Sequence, residues 1–387
     1  MKKKIYLDNA ATTCLDPQVL DAMMPYLTGN YGNASSLHSF GTQAKEILEY
    51  SRNIIAGSIG AQPEEIVFTS GGTEANNLAI KGVAFANRKK GNHIIVSTIE
   101  HDCIINACKW LEGEGFYVTY LPVDQSGLID LETLKKTINP KTLLVSVMFA
   151  NNEIGTIEPV EEIGRICRQH QVYFHCDACQ SYGKVPIDVN KAGIDLLTIN
   201  SHKIYGPKGI GALYVRKGVN LVPLLHGGGQ ESGLRSSTEN IAGIVGFTKA
   251  VELCQADMDS ENKRQSELRN LLSDFLFESY DSVYINGHSE KRLPGHLSFS
   301  FHGLEGETIR LLLLLDEMGI AVSAGSACSS NDKTNHASHV LQAIGLNPFE
   351  ARGAIRVSFG RFTTKADVLE LTNALKSTVM QLNSIFS

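Results

Sequence analysis

The chain has 387 residues, with 35 Lys and Arg against 41 Asp and Glu for a net charge of −6. At roughly 100–200 residues per domain this length holds two or three domains, and it can bury a core without disulfide or metal staples. The mild acidity exerts no global pull on nucleic acid or an anionic membrane, so neither is expected as a partner. With 43% apolar and 20% charged residues the composition is that of a globular chain, not a disordered one.

No uninterrupted apolar run approaches the ~18 residues of a membrane span. Leu311–Leu315 is bounded by Arg310 and Asp316 and fits a buried helix. The N-terminus M-K-K-K-I-Y-L-D-N-A starts basic, but Asp8 and Asn9 interrupt any apolar signal segment. The eight cysteines are scattered without a framework, which argues for reduced thiols. A soluble, cytoplasmic protein is expected.

In chain order, strand-like runs fall at Ile66–Thr69, Ile94–Thr98, Leu143–Phe149, Val172–Cys176, Leu196–Ile199 and Gly211–Val215. Several are apolar throughout, as strands covered on both faces are. Helical patterns at Glu74–Asn87, Cys103–Glu114 and Pro159–Gln169 separate most of them. This alternation predicts an α/β fold with a mainly parallel sheet. A polar helical stretch from about Ala250 to Tyr280 leads out of the first domain. Strand His296–Phe301, helix Glu307–Met318, strands Ile320–Ser323 and Ala354–Ser358, and helix Lys365–Asn383 then predict a smaller α/β domain. Thr364-Lys365-Ala366-Asp367 reads as a helix N-cap. The expected division is residues 15–260 for the large domain, and 1–14 with 261–387 for the small one.

Ligands of open parallel sheets bind beyond the carboxyl ends of the strands. Five successive strand ends here carry working groups: Ser70-Gly71-Gly72-Thr73-Glu74, Glu100-His101, Asn151-Asn152-Glu153, Asp177 with Gln180, and Asn200-Ser201-His202-Lys203. The Gly-Gly-Thr turn lets backbone approach a ligand, and the helix it opens offers free N–H groups to a phosphate. It is neither a Walker A loop nor a dinucleotide fingerprint. Lys203, after an apolar strand and before a Gly/Pro turn, is placed as a covalent-catalysis amine. Asp177 needs a cationic partner, which a pyridinium nitrogen supplies. Phosphate cradle, lysine and carboxylate are the parts of a pyridoxal-phosphate site, with His101 as a plane to stack on the ring. Cys176 and Cys179 form a lone C-x-x-C across a strand end, and packed or incidental thiols are the expectation for them. Cys103 and Cys108 are read as bystanders. Cys328, in V-S-A-G-S-A-C-S-S-N-D-K, sits in a small, polar, glycine-containing segment suited to an accessible thiol.

The ordered set S-G-G-T-E-A-N-N, E-H, N-N-E-I-G, D-A-C-Q, S-H-K, H-G-G-G-Q-E, R-S-S-T and G-S-A-C resembles the cysteine desulfurases of the NifS/IscS type, on the class V aminotransferase fold (fold-type I). The resemblance spans essentially the whole chain. It implies pyridoxal 5'-phosphate bound covalently by Lys203, His101 stacked on its ring, Asp177 on the ring nitrogen and Gln180 on the ring hydroxyl. Gly72, Thr73, Asn200 and His202 would surround the phosphate, and Ser201 would also bind the cofactor. Thr238 would reach the phosphate of the other subunit of a homodimer. Asn152 would flank the cofactor and, with Arg356, hold the carboxylate of the substrate, L-cysteine. Cys328 would be the nucleophile that carries the sulfur to an iron–sulfur scaffold or other acceptor, with shared ligation of a cluster iron left open and no other metal expected. Departures from the family pattern are Asn200-Ser201 before the His-Lys pair, Gly-Asn-Ala-Ser-Ser near residue 33, and Ser-Ser after Cys328. The chain ends at Ser387, without the tail by which longer members dock the scaffold, so the acceptor is left open. An aminotransferase or selenocysteine lyase of the same fold, or a non-enzymatic sulfur-relay partner, are the alternatives.

Overall fold

A computed structural model describes residues 4–325 and 337–386. In chain order the elements are β1 (Ile5–Tyr6), α1 (Pro17–Thr28), α2 (Ser39–Gly57), β2 (Ile66–Thr69), α3 (Gly72–Ala86), β3 (His93–Ser97), α4 (Asp102–Gly113) and β4 (Tyr117–Leu121). Next come α5 (Leu131–Thr137), β5 (Thr142–Ser146), α6 (Val160–Gln169), β6 (Tyr173–Asp177), β7 (Leu196–Asn200), β8 (Gly211–Val215) and α7 (Ile241–Ser279). The remainder is β9 (Val283–Asn286), β10 (His296–Phe301), α8 (Thr308–Glu317), β11 (Ile320–Ala321), β12 (Ser323–Ala324), α9 (His339–Ala343), β13 (Ile355–Ser358) and α10 (Lys365–Phe386).

The larger sheet has seven strands in the order β2-β8-β7-β6-β5-β3-β4. Only β8 runs against its neighbours, so the sheet is mainly parallel, as the element alternation predicts. Strands β2, β3, β5, β6, β7 and β8 are apolar runs buried almost along their whole length because helices cover both faces. One face packs Ile95, Val145, Phe174 and Leu197 against α1, α2, α6 and the start of α7. The other packs Val67, Ile94, Leu144 and Leu196 against α3 and α4.

The smaller sheet, β12-β13-β10-β9, is antiparallel throughout, while β1 pairs in parallel with β11. The run read as one strand over Ile320–Ser323 is therefore two short strands serving different partners. Ile5, Leu7, Phe299, Val357 and Leu371 share one core with Leu268, Leu272 and Leu276 of α7. At 39 residues α7 spans about 58 Å. Its first turns are buried in the core of the larger sheet and its last turns in that of the smaller. The predicted cap of α10 is a capping box: the Thr364 N–H donates to Asp367 Oδ2 at 2.9 Å and the Asp367 N–H to Thr364 Oγ1 at 3.3 Å.

A buried ion pair ties the segment after His226-Gly227-Gly228-Gly229 to the β2 edge. Arg52 donates through Nη1 and Nη2 to the two Glu231 oxygens, both at 2.9 Å, and Nη1 also donates to the Ile66 carbonyl at 2.6 Å. The Phe68 N–H donates to Glu231 Oε2 at 2.8 Å. Glu231→Ala strips the buried Arg52 guanidinium of its carboxylate, leaving it the Ile66 carbonyl and the more distant Glu49, and leaves the Phe68 N–H without a partner. It is expected to cost about 3–5 kcal/mol of unfolding free energy, read by urea denaturation.

Candidate active site

The ends of β3, β5, β6 and β7 and the start of α3 converge on one cavity at the carboxyl edge of the larger sheet. Its wall includes Gly72 and Thr73 from α3, His101 before α4, Asn152 after β5, Asp177 and Gln180 after β6, Asn200, His202 and Lys203 after β7, and Arg356 from β13. Ten of the residues singled out in the sequence are thus brought together. Ser201 is fully buried behind this wall, where a Cβ on Gly206 would lie 1.9 Å from its hydroxyl. Thr238 is exposed and does not line the cavity of its own chain. Cys328 lies outside the described residues.

Gly71 precedes α3 at φ 148, a conformation L side chains rarely adopt. A Cβ on Gly72 would lie 2.6 Å from Cys179 Sγ and 3.6 Å from Asn200 Nδ2, so the helix start sits against the cavity floor only because the residue is glycine. The first-turn N–H groups of this 15-residue helix have no intrahelical acceptor and face the cavity at Gly72 and Thr73. Asn200 Oδ1 is buried there without a partner.

Asp177, 5% exposed, accepts from the Cys179 N–H at Oδ1 (2.8 Å) and from Asn76 Nδ2 at Oδ2 (2.7 Å). Gln180 Nε2 donates to the Ala10 carbonyl at 2.9 Å. Lys203 Nζ, partly buried, has no hydrogen-bond or ion-pair partner among the described residues. Burial pushes His101 below its ordinary value, and Lys203 adds to the fall against the opposing pull of Asp177. Burial and the positive charges of Lys203, Lys208 and Lys184 push His202 down to about 4, so both imidazoles are neutral at neutral pH. Arg356, 2% exposed, donates through Nη2 to Asp8 Oδ1 at 2.8 Å and through Nη1 to the Asn152 carbonyl at 2.9 Å. Its Nε is buried without a partner.

Two thiols read as bystanders, Cys103 and Cys179, line the cavity; Cys108 and Cys176 are packed in the cores. Burial raises all four thiols, Cys103 to about 12, so none is a ready nucleophile. Asn76 is a lining residue that sequence reasoning passed over. It lies four residues after Gly72, one helical turn on, and that spacing alone places it on the same helix face. Asp8, the Arg356 partner, carries no sequence signal because the two are 348 residues apart.

Under the cavity, Glu100 accepts at Oε1 from the Ser97 hydroxyl (2.6 Å) and the Met148 N–H (2.8 Å), while Oε2 has no partner. Burial pushes Glu100 up to about 8, Glu158 to about 8 and Glu153 to about 7. These carboxyls hold protons more tightly folded than unfolded, where Glu titrates near about 4.3. Their contribution to stability is present below that value and is lost as pH rises through about 8. Glu100→Gln is therefore expected to flatten the fall in urea midpoint between about pH 4.5 and about pH 8 relative to the native chain.

A mainly parallel α/β sheet with a lysine, a carboxylate and a helix N-terminus converging at its carboxyl edge defines a ligand-binding α/β enzyme scaffold. The aminotransferase class-V family pattern matches residues 5–371, and the chain belongs to that family. It is 49% identical over 385 residues to cysteine desulfurase IscS of Dictyoglomus turgidum, covering 100% of this chain and 97% of that one. It is 48% identical to cysteine desulfurase IscS of Methanosarcina thermophila, covering 99% and 94%. Among solved structures, a NifS-like protein superposes with a TM-score of 0.90 at 39% identity, covering 98% of this chain and 100% of that one. SspA in complex with cysteine superposes with a TM-score of 0.82 at 40% identity, covering 94% and 100%.

Proposed function

We propose that the protein is a cysteine desulfurase that uses pyridoxal 5'-phosphate to convert L-cysteine to L-alanine. The sulfur is left as a persulfide on Cys328 for an acceptor protein of iron–sulfur cluster assembly. The observation that carries this reading is the Lys203 amine, without a partner among the described residues, in one cavity with Asp177, the α3 N-terminus and Arg356. The relatives named as cysteine desulfurases support it over the whole chain.

The residues fit the cofactor by their chemistry. Exposed first-turn N–H groups at Gly72 and Thr73, the orphaned Asn200 amide oxygen and neutral His202 form a polar cradle for a phosphate. Asp177 keeps acceptor capacity on both oxygens for a protonated ring nitrogen. Neutral His101 offers a plane for stacking, and Gln180 a polar group for the ring hydroxyl. Thr238 is assigned to the phosphate of a second copy in a homodimer. When bound, the cofactor supplies an electron sink for the carbanion formed at the substrate Cα.

This chain's own groups do the rest. Arg356 Nε and Asn152 hold the substrate carboxylate, with the guanidinium oriented by Asp8 and the Asn152 carbonyl. Lys203 Nζ takes the Cα proton and returns a proton to the product. The Cys328 thiolate attacks the substrate sulfur; the new S–S bond forms as the Cβ–S bond breaks, and its electron pair with a proton completes the methyl group of alanine. One cysteine and one thiol become one alanine and one persulfide.

The accompanying division of the chain, 15–260 against 1–14 with 261–387, is supported by the pairing of β1 with β11. No helix among the described residues is long and apolar enough to cross a membrane, and we assign the protein to the cytoplasm. The test is alanine release from L-cysteine by the purified, cofactor-loaded protein. Alanine formed with one sulfur per turnover, as persulfide or as sulfide under reductant, is expected; a cofactor-loaded protein that forms no alanine overturns the reading.

A further inference from the structure

A hydrogen-bonded chain outside the expected catalytic set runs along one wall of the cavity. Asn76, 1% exposed, donates through Nδ2 to Asp177 Oδ2 at 2.7 Å and to Cys103 Sγ at 3.3 Å. Asp177 fixes the orientation of that amide, because turning it over would set Oδ1 against a carboxylate oxygen. Asn76 Oδ1 is then left buried without a partner on a residue that lines the cavity.

On the other side of the thiol, Cys103 Sγ lies 3.2 Å from His101 Nδ1. The Cys103 N–H donates to the same nitrogen, also at 3.2 Å, which makes His101 the N-cap of α4. A backbone N–H only donates, so Nδ1 is an acceptor and the proton of the neutral ring is on Nε2. The thiol accepts from Asn76 and is also approached by the Thr73 hydroxyl, and its S–H is left for Nδ1. At about 12 its proton stays in place at neutral pH, which makes it a donor and not a nucleophile.

We propose that Asn76 and Cys103 are positioning residues for His101, a relay that tethers the imidazole to the Asp177 carboxylate and favours its neutral form through a second donor at Nδ1. The proposal rests on the reading of this cavity as the active site. It gives a role to a thiol that the sequence marks as a bystander. The groups that face His101 are Asp177 after β6, Lys203 after β7, Asp102 on α4 and His339 on α9; Asp177 and Asp102 favour the charged ring, and Lys203 and His339 oppose it. The relay adds a short-range preference to that balance.

The test is nitrogen NMR of the 15N-histidine-labelled holoenzyme over roughly pH 4–8, which brackets a midpoint below the ordinary imidazole value, with a His101→Gln sample to assign the resonances. The native ring should show a proton-free Nδ1 and a protonated Nε2. In Cys103→Ala the backbone donor remains but the second is lost, so the Nδ1 resonance moves and the titration midpoint rises by a few tenths to about one unit. Cys103→Ser restores both, because a hydroxyl accepts from Asn76 and donates to Nδ1. Asn76→Ala, which removes the support while keeping the thiol, moves the midpoint in the same direction as Cys103→Ala. In alanine formation the Cys103→Ala loss falls on kcat, several-fold, with KM unchanged. A Nδ1 resonance and midpoint that stay at their native positions in both Cys103→Ala and Asn76→Ala overturn the relay. The ring readout needs no turnover, so it fails separately from the desulfurase reading.

Discussion

Lys203→Ala is expected to abolish alanine formation from cysteine, with kcat lower by at least about 10²–10⁴-fold, the scale of a lost proton-transfer group. The structure makes this the residue hardest to replace. Among the described residues its amine has no partner and no other lysine lines the cavity. Lys203→Arg should fail as well, because a guanidinium stays protonated and cannot take the Cα proton. The check is steady-state alanine release together with the visible absorbance of the purified protein, which loses the band of the covalently held cofactor in both variants. Exchange of the cysteine Cα proton for solvent deuterium should also disappear.

Cys328→Ala separates the steps differently. Sulfur transfer should be lost to a similar extent, about 10²–10⁴-fold, while cofactor binding and Cα proton exchange survive, since neither needs the thiol. Measuring exchange and alanine release on the same two variants assigns the proton to Lys203 and the sulfur to Cys328. Full alanine release in Cys328→Ala would move the reading to one of the same-fold alternatives.

The larger sheet and most of the cavity were legible in the sequence because both follow from local pattern. Uniformly apolar strands such as Leu196–Asn200 and Gly211–Val215 declare burial on both faces, and the polar groups that follow β3, β5, β6 and β7 mark the carboxyl edge. The elements missed are those whose pattern is weak. Strand β4 is an edge strand whose Tyr117 is exposed, and β9 is four residues with two half-buried side chains. Helices α1 and α2 lie outside the predicted elements, although Asp16 capping the Gln18 N–H ahead of Pro17 is a start signal for α1.

Within the site, groups placed by one strand end were found, and groups placed by distant pairing were not. Asp8 meets Arg356 only because the segment after β1 bridges in parallel to Ser358 at the end of β13. Cys103 carries no sequence signal because a lone cysteine in a helix start has no local meaning; its meaning comes from Asn76, a residue of another helix. The same limit applies to Ser201, whose place beside His202 suggests a cofactor contact but whose side chain packs toward Gly206.

The measurement that tests the central claim most directly is the mass of the peptide containing Cys328 after incubation of the holoenzyme with L-cysteine in the absence of reductant, taken alongside alanine release. One added sulfur on Cys328, formed in step with alanine and absent from both Lys203→Ala and Cys328→Ala, is the predicted result. Alanine formed with no sulfur gained by Cys328 would contradict the account.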